Sequence, residues 1–461
     1  MGLQVGKFDN KQSARKNEGS VPSDSGSAKD GSSSRRPEER RHGAYGWELP
    51  SLFFCDKNGE DQKEIPYSFI ESLKLEESID NLCVFGEILI RDPGRFRKAM
   101  AFENGREYIF IDLKSNNWAE GQEEYKGIFS IVNITEERYG RLGASGSYVL
   151  LSLAQYPAYR NSIVWKVSKG YKDVRISDII EDLFDNYLNK DNEYQENLYD
   201  KSDRIEETKY ILKDWCIPFW SPYKVIDYLM PFSGNESDKA GYHCFFDLSR
   251  KFNFRSLQHL MQNGDTHELK VQQGLVTGQA RGEIDETFVI TDYFPSIGKR
   301  EYDKTGLAGS TIERFNFYKK KNYTHKRGYL NREYPEINNL YEKPEDINNI
   351  WGYHTSVMWP WYDSKHLINL YVNNNISKSS AVQCSSSILI HGSVGDNKVK
   401  PGDKINVRVV PEVTMQENSE ELEGQWFVRG INHSFTDGRT PYRQILSLSR
   451  KGEFDHEGEM T

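Results

Sequence analysis

Two stretches of the chain alternate apolar and polar residues with a period of two, and both carry the same markers in the same order. The first opens on Ile88-Leu89-Ile90, turns at Gly105, alternates from Tyr108 to Leu113 and passes Gly127. It continues through Phe129, Ile131 and Ile134 to Leu151-Ser152-Leu153. The second opens on Ile388-Leu389-Ile390, turns at Pro401-Gly402-Asp403 and alternates through Ile405, Val407 and Val409. It passes Gly424 and Trp426-Phe427-Val428 and ends on Leu446-Ser447-Leu448. The two glycines are 22 residues apart in each stretch, and the other spacings are 24 against 22 and 17 against 14. Alternation lines one face of a strand with apolar side chains, so each stretch predicts half-buried antiparallel strands. Four markers in one order point to a duplicated β domain. The alternative is a pair of unrelated β regions that share turn chemistry.

Strands are expected at 67–76, 81–92, 108–113, 128–135 and 147–155, with a turn at Asp92-Pro93-Gly94-Arg95, where proline presets φ and glycine accepts a positive one. Five or six strands with no long helical pattern between them suit a closed or nearly closed barrel, which leaves no free edge. After about Tyr156 the period changes. Ile176, Ile179, Ile180, Leu183, Phe184 and Leu188 recur at helical spacing, with Ser177-Asp178 as the expected cap region. Trp215 to Tyr223 sets two prolines among aromatics and reads as a buried corner between domains, followed by a helix over 225–230. Strands at 242–248 and 252–255 precede a helix beginning at Ser256.

Hydrophobic content of 37% and mean hydropathy of −0.74 are low for one deep core, while 27 Tyr and 23 Phe supply apolar surface suited to strands and contact faces. No run of about 18 apolar residues is present, so no membrane anchor is expected. The N-terminus lacks the apolar stretch of a secretory signal. A net charge of −9 argues against a dedicated nucleic-acid binder, yet it suits an acidic passage through which nucleic acid slides. Five widely spaced cysteines without a Cys-x-x-Cys pair read as reduced, buried thiols of a protein folded in cytoplasm.

Little in the sequence points to catalysis, and no catalytic, cofactor-binding or metal-ligating residue is singled out. Phosphate-binding glycine loops are absent, and Gly143-Ala144-Ser145-Gly146-Ser147 reads as a hairpin loop, not a nucleophile elbow. No two histidines have metal-ligand spacing. His243 and Cys244 are strand neighbours and point to opposite faces; His433 reads as a structural hydrogen-bonding group. The carboxylate pairs Glu76-Glu77, Glu123-Glu124 and Glu136-Glu137 read as solvated faces, as do the basic patches Lys319-Lys320-Lys321 and Lys326-Arg327. The segment Arg35 to Arg41 reads as a solvated arm, with docking on an acidic partner or phosphate as the alternative.

Several ordered phrases resemble one family. Pro401-Gly402-Asp403 opening a strand, Gly424-Gln425-Trp426, Ile431-Asn432-His433 and Leu446-Ser447-Leu448-Ser449-Arg450 are similar to the C-terminal barrel of the baseplate hub of contractile-tailed bacteriophages. That family is related to the N-terminal part of the type VI secretion spike protein. Phe245-Phe246-Asp247 followed by Phe252-Asn253-Phe254-Arg255-Ser256-Leu257 resembles its strand-turn-strand-helix, with Lys251-Phe252 where a Gly-hydrophobic pair is expected. The resemblance spans about 45–450.

The resemblance implies a mainly β chain with α+β insertions and two tail-tube-like antiparallel β-barrels, the second split by an insertion. The implied organisation is a flexible arm over 1–44, a first barrel over 45–160 and a helix-containing middle domain over 161–240. A second barrel from 241–275 and 384–450, an irregular excursion over 276–383 and a polar tail over 451–461 complete it. It further implies a non-enzymatic homotrimer whose six barrels form a pseudo-sixfold ring in the virion tail baseplate, assembled in the host cytoplasm. The implied partners are a spike protein, tail-tube or tube-initiator proteins, baseplate wedge proteins and a tape measure protein, with DNA only passing through the channel and no cofactor. A tail-borne cell-wall hydrolase and a glycan- or receptor-binding tail protein using Trp351, Trp359 and Trp361 are the rival readings.

Overall fold

The computed structural model describes residues 51–57, 63–91, 108–114, 124–139, 146–189, 199–201, 204–235, 241–272, 287–288, 290–297, 310–316, 320–327, 353–357, 370–371, 374, 384–391, 399–410, 423–436 and 442–450. The chain begins with β1 (Ser51–Cys55), β2 (Lys63–Glu64), β3 (Ile70–Ser78), β4 (Phe85–Arg91), β5 (Tyr108–Lys114), β6 (Glu124–Tyr139) and β7 (Gly146–Gln155). Its middle supplies α1 (Ala158–Val164), β8 (Gly170–Arg175), α2 (Ile176–Leu183), β9 (Ile211–Cys216), α3 (Pro222–Leu229), β10 (Tyr242–Phe246), β11 (Phe252–Ser256) and α4 (Leu257–Asn263). Then come β12 (Thr266–Gln272), β13 (Thr287–Phe288), β14 (Ile290–Ile297), β15 (Ser310–Asn316), β16 (Lys321–Arg327) and β17 (Tyr353–Val357). The last four are β18 (Cys384–His391), β19 (Lys404–Val410), β20 (Gly424–Thr436) and β21 (Tyr442–Arg450).

The molecule is mainly β. One 14-stranded sheet runs β13-β12-β19-β20-β3-β4-β7-β6-β5-β1-β2, and β21, β18 and β14 branch from it at β20. Within this sheet a five-stranded unit occurs twice, as β3-β4-β7-β6-β5 and as β14-β18-β21-β20-β19. The registers agree residue by residue. Ile88 faces Leu151, and Ile388 faces Leu446. Gly127 faces Ile111, and Gly424 faces Val407. A bulge follows Ile131 in β6 and another follows Val428 in β20, at the same point in the repeat. A second bulge follows Ile70 in β3 and Ile290 in β14. Bulges re-aim a strand by one residue, so their shared positions carry more weight than shared alternation.

Each unit has its own core. Leu73, Leu75, Ile88, Ile109, Ile111, Phe129, Ile131 and Leu151 pack in the first, and Ile388, Ile405, Val407, Trp426, Val428, Ile431, Leu446 and Leu448 in the second. Burying each such leucine or isoleucine stabilises the fold by about 1.5–3 kcal/mol. A third core gathers Ile176, Ile179, Ile180, Leu183 and Phe184 from α2 and its π-helical extension with Phe246, Phe252 and Phe254.

The strand bounds differ from the sequence expectation in instructive ways. Tyr67–Phe69 is a 3-10 turn, and β3 starts only at Ile70. β10 and β11 pair with each other, β11 also bridges Ile205 through Phe254, and both pack into the middle core, whereas 241–275 was expected in the second barrel; among the described residues of that range β12 alone joins the large sheet. Conversely β14, inside the expected irregular excursion 276–383, pairs with β18. The α2 cap is also different. Asp178 reaches back to the Arg175 amide at 3.0 Å, while Ser177 is buried in the first turn and bonds with Thr208. In the aromatic corner Trp215 and Ile217 are buried, but Phe219 and Tyr223 are exposed. The Asp92–Arg95 turn lies outside the described residues.

Candidate assembly interface

The two units are joined head to tail by antiparallel pairing of β3 with β20, from Ser78 opposite Gly430 to Ser72 opposite Thr436. Side chains at Leu73, Leu75 and Glu77 face inward, as do Ile431, His433 and Phe435. Phe435 packs in the core of the first unit, so the joint is sealed by apolar contact as well as backbone bonds. Gly430 is required at this crossing: a Cβ there would stand 2.9 Å from the Glu77 carbonyl oxygen. At the rim Asp80 accepts from the Arg429 guanidinium at 2.6 Å.

Glu77 occupies the inward row where alternation calls for an apolar residue, and it is 3% exposed. Its carboxylate is fully engaged, with Oε1 3.0 Å from His433 Nε2 and Oε2 accepting the Leu248 amide at 2.8 Å. A buried carboxylate needs such partners because water is excluded. Asp247, next in chain to Leu248, is also buried; burial first of all pushes its carboxyl up to about 6, the nearby Glu77 adds to this, and the Lys251 amide works against it. The turn it closes has no glycine. Arg250 takes a left-handed φ of 63°, and Asp247 Oδ1 accepts the Lys251 amide at 2.8 Å. Of the adjacent pair Glu76-Glu77, only Glu76 is solvated, which corrects the expectation for both. Strand alternation was the signal that could have separated them.

The same joint has two unpaired halves. Among the described residues, β6 pairs only with β5 and β7, so its edge from Asn133 to Tyr139, equivalent to the β20 edge that receives β3, is open. Among the described residues β14 pairs only with β18, so its outer edge, equivalent to the β3 edge that meets β20, is open there as well. Val132 lies at the bulge beside the open β6 edge and is 48% exposed, where its counterpart Arg429 is engaged with Asp80.

His433 is a hydrogen-bonding group of the joint, as expected. His243 and Cys244 are both buried, the first with Nδ1 3.3 Å from the Ile79 carbonyl and the second in the middle core. Cys55, Cys83 and Cys244 are buried thiols outside any disulfide, but Cys216 is exposed, against expectation. Pro401-Gly402-Asp403 makes the expected turn into β19, with Gly402 at φ 99° and Asp403 Oδ2 accepting the Lys400 amide at 2.8 Å. Lys320 and Lys321 are exposed. The tryptophans 351, 359 and 361, the arm from Arg35 to Arg41 and the side chains of the two later carboxylate pairs lie outside the described residues. Among the described residues no group of three or more His, Cys, Asp or Glu could hold a metal ion, and no helix is long and apolar enough to cross a membrane.

No family model matches the chain, and no curated protein matches it in sequence. Solved structures similar to it include a tail protein from Neisseria meningitidis, at 9% identity and a TM-score of 0.49, covering 88% of this chain and 97% of that one. The 43 kDa tail protein of a prophage from Shewanella oneidensis is similar at 8% identity and a TM-score of 0.49, covering 87% of this chain and 98% of that one. A component of the type VI secretion system from E. coli is similar at 10% identity and a TM-score of 0.40, covering 84% and 74%.

Proposed function

We propose that the chain is the structural hub of a phage tail baseplate, a homotrimer whose six barrel units form a pseudo-sixfold ring between a hexameric tail tube and a trimeric spike. The observation that carries this reading is the head-to-tail joining of two copies of one five-stranded unit by β3 and β20, with complementary edges left on β6 and β14. A heterologous joint that repeats must close into a ring or grow as a filament. The sequence phrases shared with the hub family favour the ring. Six units in three chains present sixfold symmetry to the tube and threefold symmetry to the spike. One face of the ring nucleates the tube and the other holds the spike, with wedge proteins outside. On contraction the ring travels with the tube and leaves a channel for DNA, and the net charge of −9 suits a lumen that repels phosphate.

Light scattering and particle imaging test this. The expected species has three times the 53.5 kDa chain mass and six-lobed end views, alone or on addition of a candidate spike protein. A chain that stays single with the spike present and instead binds glycan would overturn the reading.

A further inference from the structure

We propose that β14 of one copy pairs antiparallel with the open edge of β6 in a second copy, in the register that β3 and β20 use within the chain. The proposal takes from the reading above only the number of copies that close. The pairing itself follows from the strand registers of a single chain.

The shared bulges fix the equivalence. β3 maps onto β14 with Leu73, Leu75 and Glu77 at the positions of Tyr293, Pro295 and Ile297. β20 maps onto β6 with Ile431, His433 and Phe435 at the positions of Ile134, Glu136 and Arg138. Within the chain Glu77 faces Ile431, Leu75 faces His433 and Leu73 faces Phe435. Between copies Ile297 therefore faces Ile134, Pro295 faces Glu136 and Tyr293 faces Arg138, with Ser296 opposite Thr135 in between.

Hydrogen-bond polarity follows as well. Ile79 donates its amide to the Arg429 carbonyl at 2.9 Å, which marks that pair and every second pair along the joint as the ones that exchange backbone bonds. The Ile297–Ile134 and Tyr293–Arg138 pairs exchange both bonds. Pro295 accepts from the Glu136 amide but has nothing to donate, so the joint between copies has one bond fewer than the joint within the chain. The same proline makes an open β14 a poor template for indiscriminate strand addition.

The Ser296–Thr135 pair falls at a position without exchanged bonds, where opposed Cα atoms lie about 4.5 Å apart, within disulfide reach. The test is Thr135→Cys with Ser296→Cys in a Cys216→Ser background, oxidised and run on a non-reducing gel. Each single cysteine and the off-register pair Thr135→Cys with Phe294→Cys serve as comparisons. Light scattering of the reduced protein establishes that folding and mass match the parent. The expected result is conversion of the in-register pair into a covalently closed species of three chains, while the comparisons stay single. A multi-chain mass with no in-register cross-link would overturn the pairing and leave the hub reading standing. Cross-linked pairs or ladders that grow past three chains would support the pairing and overturn the trimer. A single-chain mass without cross-link overturns both. As a second measurement, Pro295→Leu supplies the missing donor and should lower the concentration at which copies separate by roughly fivefold; an unchanged or higher concentration counts against the pairing.

Discussion

The two five-stranded units agree where strands meet and disagree where strands are connected. β3 passes to β4 through residues 79–84, whereas residues 298–383 separate β14 from β18. β5 has antiparallel β1 as its outer neighbour, and β19 has parallel β12. Strand order, both bulge positions and the Ile–Leu pairing of the cores are nevertheless the same. Connections cost little to vary because they lie outside the ladder, whereas a slipped bulge would turn a row of core side chains to solvent. The joints also differ in chemistry. Glu77 and His433 meet in the internal joint, while Ile297 and Glu136 hold the matching positions on the open edges. The edges that meet within the chain are therefore distinguished in chemistry from the edges left open.

The largest break in this comparison should come from Glu77→Ala. It strands His433 and the Leu248 amide, and urea unfolding should show a loss of about 3–5 kcal/mol. Loss below about 1 kcal/mol would mean that the internal joint does not depend on this pair. Next, Leu151→Ala and Leu446→Ala remove equivalent, fully buried side chains, and each should cost about 2–5 kcal/mol. A large cost in one unit with almost none in the other would end the equivalence of the two cores.

Asp247 sharpens the comparison through pH. Its carboxyl is raised from an ordinary value of 3.8 to about 6. Between those values the folded chain holds a proton that the unfolded chain has released, so stability falls as pH rises through the window and the loss is complete above it. Unfolding free energies should drop by about 2 kcal/mol from pH 4 to pH 6.5, and Asp247→Asn should flatten the slope. A slope that survives the substitution would place its origin in another group. The smallest effect should belong to Asp80→Ala, because the Asp80–Arg429 pair is partly exposed. A loss of about 0.2–1 kcal/mol that fades in high salt is expected from the same unfolding measurement.

Much of this architecture was legible in the residues. Ile88 and Ile388, Gly127 and Gly424, and Leu151 and Leu446 declare themselves because a half-buried strand imposes a two-residue period and a turn imposes glycine. The partnership of β14 with β18 was not legible, since Tyr293-Phe294-Pro295 has an interrupted pattern and its partner is far along the chain. Phe252 and Phe254 read as strand residues, but periodicity does not say which sheet a strand joins, and theirs is the small one in the middle core. Glu77 was misread because a charge in a strand looks solvated until its partner, His433, is brought beside it by long-range pairing.

That pairing joins residues 356 apart, and it sets an order of events during synthesis. At ribosomal rates of about 5–20 residues per second, β3 waits roughly 20–70 s between its own emergence and that of β20. Throughout this interval a nascent chain displays an unfilled strand edge. On a polysome, neighbouring chains would compete for it at high local concentration. The tethered β20 prevails once it appears, because a partner on the same polypeptide is presented at millimolar effective concentration. Yield on fast and slow translation should therefore differ, with premature trans pairing as the kinetic trap.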